Sequence, residues 1–135
     1  MKTELLNTLE KSRNYTLAVA EAMPSNFYGF KPTESIWSFN QLMNHIAYGI
    51  QWWEDNYIKK TESAWNPPSD KVTKEETIKF LQECFDSLKR TIDTEKISEE
   101  SMKGLWATLD HVTHHRGQAI IHLRLVGMTV PEYTF

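Results

Sequence analysis

His111-Val112-Thr113-His114-His115-Arg116-Gly117-Gln118 places three of the chain's five histidines in a stretch that repeats with a helical period. His111 and His115 are four residues apart, so on a helix their side chains stand one above the other on the same face. Two imidazoles on adjacent turns can share one metal ion, but a pair is an incomplete site. The helix that carries them reads from about Leu105 to Val126, where Gly127 supplies a C-terminal cap and Pro131 prevents continuation. On its wheel His111, His115, Gln118, His122 and Val126 form one narrow face, flanked by Val112, Ala119 and Leu123. That face should look into a core.

Three further helical segments precede this one. The first runs from about Lys2 to Ala22, with Leu5, Leu9, Thr16 and Val19 near one stripe, and ends before Pro24. A loop from Pro24 to Trp37 follows. The second segment opens on a capping box, Ser38 with Gln41, and continues to about Lys60. Its apolar face is Phe39, Met43, Ile46, Ile50, Trp53 and Tyr57. The connection Thr61 to Val72 contains Pro67-Pro68 and cannot be helical throughout. A second capping box, Thr73 with Glu76, starts the third segment, which runs to about Thr91 with Ile78, Leu81, Phe85, Leu88 and Ile92 inward. Cys84 sits beside that stripe and reads as a packed thiol.

No stretch alternates apolar and polar residues as a strand would. The pattern therefore points to an all-α four-helix bundle. The connections read as roughly ten residues or more, which leaves room for a crossover.

The bulk properties agree. With 135 residues the chain suits one domain, 1–135, able to bury a sizeable core. A net charge of −3 argues against a nucleic-acid partner, which would ask for clustered Lys and Arg. No apolar run approaches a membrane span, and Met1 to Glu10 lacks the pattern of a secretory signal. One cysteine excludes an intrachain disulfide and fits a reducing compartment. A cytoplasmic protein is the expectation. The aromatic content of 12% is concentrated near the middle of the chain, at Trp37, Phe39, Trp52, Trp53, Tyr57 and Trp65. Core packing is the ordinary use of such residues, and an aromatic-walled pocket is the alternative.

A third ligand has one source outside the last segment: His45, on the flank of the second segment's stripe beside Gly49 and Trp52. Bundle cores build metal sites from facing helices in this way. The bland alternative is that these histidines merely hydrogen-bond in the core, since burying imidazoles without partners is costly. His122 lies seven residues beyond His115, about 10 Å along the axis, too far to join them. His114 points away and should pack at another surface. A zinc-protease reading fails, because the glutamate required after the first histidine is Val112 here. Gly117 reads as a point of close helix approach. Arg116 and Gln118 read as structural hydrogen-bonders, Gln118 also as a group able to orient His115 from behind. Glu54 and Asp55 read as solvated surface.

Taken together, His111-x-x-x-His115-Arg116-Gly117-Gln118, Leu123-Arg124-x-x-Gly127, Pro131-x-Tyr133, Phe30-Lys31-Pro32, Trp37-Ser38 and Leu42-x-x-His45-Ile46 resemble the DinB-like (YfiT-like) metalloenzyme superfamily. The resemblance covers nearly the whole chain. It implies a four-helix bundle with a metal held by three histidines, one from the second helix and two from the last, matching His45, His111 and His115. The wheel leads to the same three positions.

Three neutral imidazoles leave the full charge on a divalent metal and at least one position open, the layout of a catalytic site. Ligand type does not choose among Zn, Ni, Fe and Mn, with Cu a further metal that imidazole suits. The resemblance further implies a thiol-dependent S-transferase that binds a low-molecular-weight thiol at the metal and joins it to a small electrophile. Tyr48 and Trp52 are the expected pocket walls, and a homodimer is within what the resemblance implies. Metal-assisted hydrolysis and a non-catalytic, stress-linked metal- or ligand-binding protein are the alternatives.

Overall fold

The computed structural model describes residues 2–133. Met1, Thr134 and Phe135, which the 1–135 domain span includes, lie outside them. Among the described residues there are four long helices and no strand: α1 Lys2–Ala22, α2 Phe39–Trp53, α3 Lys74–Thr94 and α4 Glu99–Leu125. The expected all-α bundle is what forms. α1 and α2 each pack on both α3 and α4, and so lie across the bundle from one another. The connection 23–38, with its short 3-10 turn Ser25–Phe27, therefore crosses the end of the bundle.

The apolar stripes of the first three helices meet largely where their periods place them, whereas α4 turns inward through the flanking Val112, Ala119 and Leu123, leaving His111 and His115 half-buried and Gln118 exposed. Leu5, Leu9 and Val19 of α1, Phe39, Met43, Ile46 and Ile50 of α2, Leu81, Phe85, Leu88 and Ile92 of α3, and Leu105, Val112 and Leu123 of α4 are all buried. The Ser38 box closes in both directions: Ser38 Oγ accepts from Gln41 N at 3.1 Å and Gln41 Oε1 accepts from Ser38 N at 2.8 Å. At α3 only half of the expected box forms. Thr73 Oγ1 accepts from Glu76 N at 3.1 Å, while the Glu76 carboxylate reaches Val72 N, one residue further out, at 3.3 Å.

Three expectations are corrected. First, α4 starts at Glu99 rather than Leu105, because Ser98 accepts from Ser101 N at 3.1 Å and Glu99 and Glu100 favour the positive helix end. The connection from α3 is thus only 95–98. Second, the inward face of the second segment does not continue through Trp53 and Tyr57. After Trp53 the helix widens into a π-turn, Glu54–Ile58, closed by Lys59 N donating to Glu54 O at 2.9 Å. The extra residue per turn rotates Tyr57 outward and brings Ile58 in, while Glu54, four residues after Ile50, already lies on the inner face. Third, Glu54 is therefore not solvated surface. It is 1% exposed, and Oε1 accepts from Ser87 Oγ at 3.0 Å and Thr91 Oγ1 at 2.5 Å, with Lys59 Nζ at 3.4 Å. A buried carboxylate needs such partners.

The glycines correct a fourth. A Cβ on Gly117 would meet nothing within 4 Å, so that residue has no close-packing role. The close approach is at Gly104, where a Cβ would stand 2.4 Å from Tyr57 Cβ. Gly127 caps α4 as expected, at φ +81°. Arg116 hydrogen-bonds as read from sequence, giving Nη1 to Thr16 Oγ1 at 3.1 Å, and its guanidinium lies 4.9 Å from the Tyr15 ring. It thereby ties α4 to α1.

Two outcomes follow from this packing. Gly104→Ala should cost about 1–3 kcal/mol through overpacking. Gly117→Ala, in open space within a helix, should gain about 0.5–1 kcal/mol; urea unfolding measures both. Cys84 is buried, and burial followed by the charges of Glu54, Glu83 and Asp55 pushes its thiol up to about 12. It should resist thiol-titrating disulfides at pH 8 in the native protein and react once the chain is unfolded.

Candidate metal centre

Where α2 crosses α4, three half-buried imidazoles turn to one point. His45 Nε2 lies 3.0 Å from His111 Nε2 and 3.0 Å from His115 Nε2. The candidate ligand atoms of all three lie within 4.8 Å of one another. The approach is possible because residue 49 is glycine. A Cβ there would stand 2.7 Å from His111 Cε1 and 2.9 Å from its Nδ1. The far side of that ring makes no hydrogen bond, since His111 Nδ1 is buried without a partner. Packing sets its orientation instead, with Gly49 on one side and the Trp53 ring centroid 4.9 Å away.

His115 is held differently. Its Nδ1 meets Gln118 Oε1 at 2.9 Å. A carbonyl oxygen only accepts, so Nδ1 carries the proton and Nε2 offers a lone pair to the cluster. Gln118 thus fixes a tautomer, as groups behind metal-bound histidines do.

The donor set fits a cation. His45 Nε2 faces two nitrogens and can donate one hydrogen at most, so hydrogen bonding alone leaves the cluster unsatisfied. One ion with nitrogen bonds of about 2.0–2.1 Å would seat tetrahedral donors about 3.3 Å apart, close to the spacing found. Burial pushes His45 and His111 down to about 4, with the charge of neighbouring imidazoles a second cause. Burial also lowers His115, partly countered by its bond to Gln118. All three are neutral at pH 7, the ligating form.

The aromatic residues build a wall here instead of a core. Phe39 alone of the six is fully buried. The Trp37 ring lies 4.8 Å from His45 and stacks at 28° over His115, 6.0 Å away. Trp65 lies 5.4 Å from His45 and 4.7 Å from Tyr48. Tyr48 lines the cavity at His45. Trp52 stands one ring behind, 5.6 Å from Trp65, its Nε1 donating to Ser63 O.

Sequence reasoning offered Trp37 and Trp65 only within the alternative of an aromatic-walled pocket, did not tie them to the histidines, and missed the part of Gly49 and the role of His122. The Nε2 of His122 donates to Trp37 O at 2.8 Å, pinning the loop that carries Trp37 to α4. His122 is no member of the cluster, as its axial distance implied. His114 is corrected: it packs on no other surface but is exposed, edge-on to His115 at 4.7 Å.

A four-helix bundle that turns three imidazoles from two helices toward one point defines a class, bundles with a candidate three-histidine metal centre. The DinB family model matches residues 1–103 and 70–135, and the chain belongs to the DinB family. It is 26% identical to YjoA of Bacillus subtilis strain 168 over 137 residues, covering 90% of this chain and 88% of that one. Among solved structures it resembles a DinB-like protein from Bacillus cereus ATCC 10987, with a TM-score of 0.84 and 15% identity over 96% of this chain and 95% of that one. The crystal structure of YjoA superposes with a TM-score of 0.75 and 16% identity, covering 97% and 98%. These likenesses define the fold. Among the described residues no helix is long and apolar enough to cross a membrane.

The two devices that aim the imidazoles should separate in a metal-competition titration with a chromophoric chelator. Gln118→Ala should weaken affinity about 10–100-fold. Gly49→Ala, which displaces the His111 ring itself, should weaken it more.

Proposed function

We propose that this chain is a metal-dependent enzyme in which His45, His111 and His115 hold a divalent ion, and that it joins a low-molecular-weight thiol to a small electrophile. The observation that carries the reading is the convergence of three neutral imidazoles, His45 Nε2 lying 3.0 Å from both His111 Nε2 and His115 Nε2, beside open cavities lined by His45 and His115.

When bound, the ion would supply a Lewis acid that makes a thiol acidic enough to ionise at neutral pH. The protein's own groups do the rest. Gln118 keeps the proton on His115 Nδ1, so Nε2 stays a donor. Trp37 covers the outer side of His45 and His115 and limits water there. The thiol loses its proton to solvent, the sulfur's electron pair forms the new S–C bond, and the leaving group departs with the pair from the bond that breaks. Cys84 takes no part: it is buried in α3 and its thiol is pushed up to about 12. A chain with a single, unpaired cysteine accords with the reducing cytoplasm, where low-molecular-weight thiols are abundant.

The test is elemental analysis of untagged protein beside His115→Ala, followed by a screen of thiols against small electrophiles. About one Zn, Ni, Fe or Mn per chain is expected, lost in the variant, with turnover that requires added thiol. Turnover without thiol would replace this reading by metal-assisted hydrolysis. Metal without turnover would leave a binding protein, and no metal even after reconstitution would overturn the proposal.

A further inference from the structure

Two cavities open at the histidine cluster, and Trp37 is the one residue that lines both. The first, about 260 Å³, reaches His45 and the second, about 480 Å³, reaches His115. Because these two imidazoles touch at 3.0 Å, molecules in the two cavities would approach one another at the same point. Their walls differ in kind.

The cavity at His45 is aromatic and carries an acid. Trp37, Tyr48 and Trp65 present ring surface, and Asp70 supplies a carboxylate. Asp70 takes part in no ion pair among the described residues. Its neighbour Lys71 forms no ion pair with it and lays Nζ 5.2 Å from the ring centroid of Phe80, an aromatic residue of the same wall. Rings with one free carboxylate are the surroundings that attract an organic ammonium group, through ring quadrupoles and charge.

The groove at His115 holds no Asp, Glu, Lys or Arg in its walls. Ile36, Trp37 and Ile121 leave 45%, 47% and 51% of their surfaces exposed along it. Three large apolar side chains open to water in one groove form a surface that an apolar ligand would cover favourably. The volume suits a small molecule.

We propose that the two cavities are separate substrate seats divided by Trp37. The aromatic, acid-bearing one holds an ammonium group on the thiol, and the uncharged groove holds the apolar body of the electrophile. The assignment of thiol and electrophile rests on the transferase reading above; the two seats and their ligand chemistry do not.

The experiment measures equilibrium binding of two unreactive probes to the metal-loaded protein by calorimetry or chemical-shift titration. Choline probes the first seat, with its uncharged isostere 3,3-dimethyl-1-butanol as control, and benzyl alcohol probes the second. Choline should bind several-fold more tightly than its isostere, and each probe should bind equally well when the other is saturating. Asp70→Asn should weaken choline several-fold and leave benzyl alcohol unchanged. Ile121→Glu should do the reverse. Each variant's retained ligand shows that it has folded. Mutual competition, or choline binding no better than its isostere, would overturn the proposal. These readouts need no turnover. An inactive protein that binds both probes independently would defeat the transferase reading alone, and an active one whose probes compete would defeat this inference alone.

Discussion

The ring of His111 lying against the bare Cα of Gly49 is the contact on which the site depends. Two helices can bring side chains from each to one point only if their axes come close, and a methyl group at position 49 would stand 2.7 Å from the imidazole. With glycine there, His111 Nε2 comes within 3.0 Å of His45 Nε2, and His115, one turn along α4, reaches the same atom. The rest of the bundle holds this crossing in place. α1 and α3 lie on its flanks, Arg116 clamps α4 to α1, and Gly104 lets α4 close onto the π-turn that ends α2.

The three imidazoles are steadied by unlike means. His115 is tied by Gln118, a hydrogen bond that also decides which nitrogen is free. His111 is held by packing alone, with its Nδ1 unpartnered. His45 sits beneath two tryptophans. Through Trp37 O, His122 joins the loop between α1 and α2 to the same helix that supplies two of the three. The cluster and its cover are therefore mechanically linked through α4.

Much of this was legible in the sequence because helical periodicity is local. The stripes of the first and third segments, that of the second as far as Ile50, the Ser38 box and the shared face of His111 and His115 follow from spacing alone, and these appear in the structure. His45 could be paired with them because it is the one histidine outside α4. The start of α4 is also written in the sequence, in Ser98 followed by Glu99 and Glu100, although the apolar pattern begins only at Leu105. What was not legible depends on contacts distant in sequence. A single π-turn exchanged Tyr57 for Ile58 on the inner face, and the carboxylate of Glu54 can be buried beside it only because Ser87 and Thr91 of α3 donate to it. Trp37, Trp65 and Asp70 lie in connections, where no period says which way a side chain points. Gly117 stood in the motif and Gly104 did not, yet only the second meets a neighbour.

The central claim is that one ion is held by His45, His111 and His115 together. X-ray absorption at the metal edge of the reconstituted protein tests it most directly. About three imidazole nitrogens at about 2.0–2.1 Å are expected, reduced by about one in His45→Ala, with the remaining positions filled by oxygen. A spectrum with a single imidazole, one dominated by carboxylate oxygen, or one left unchanged by His45→Ala would contradict it.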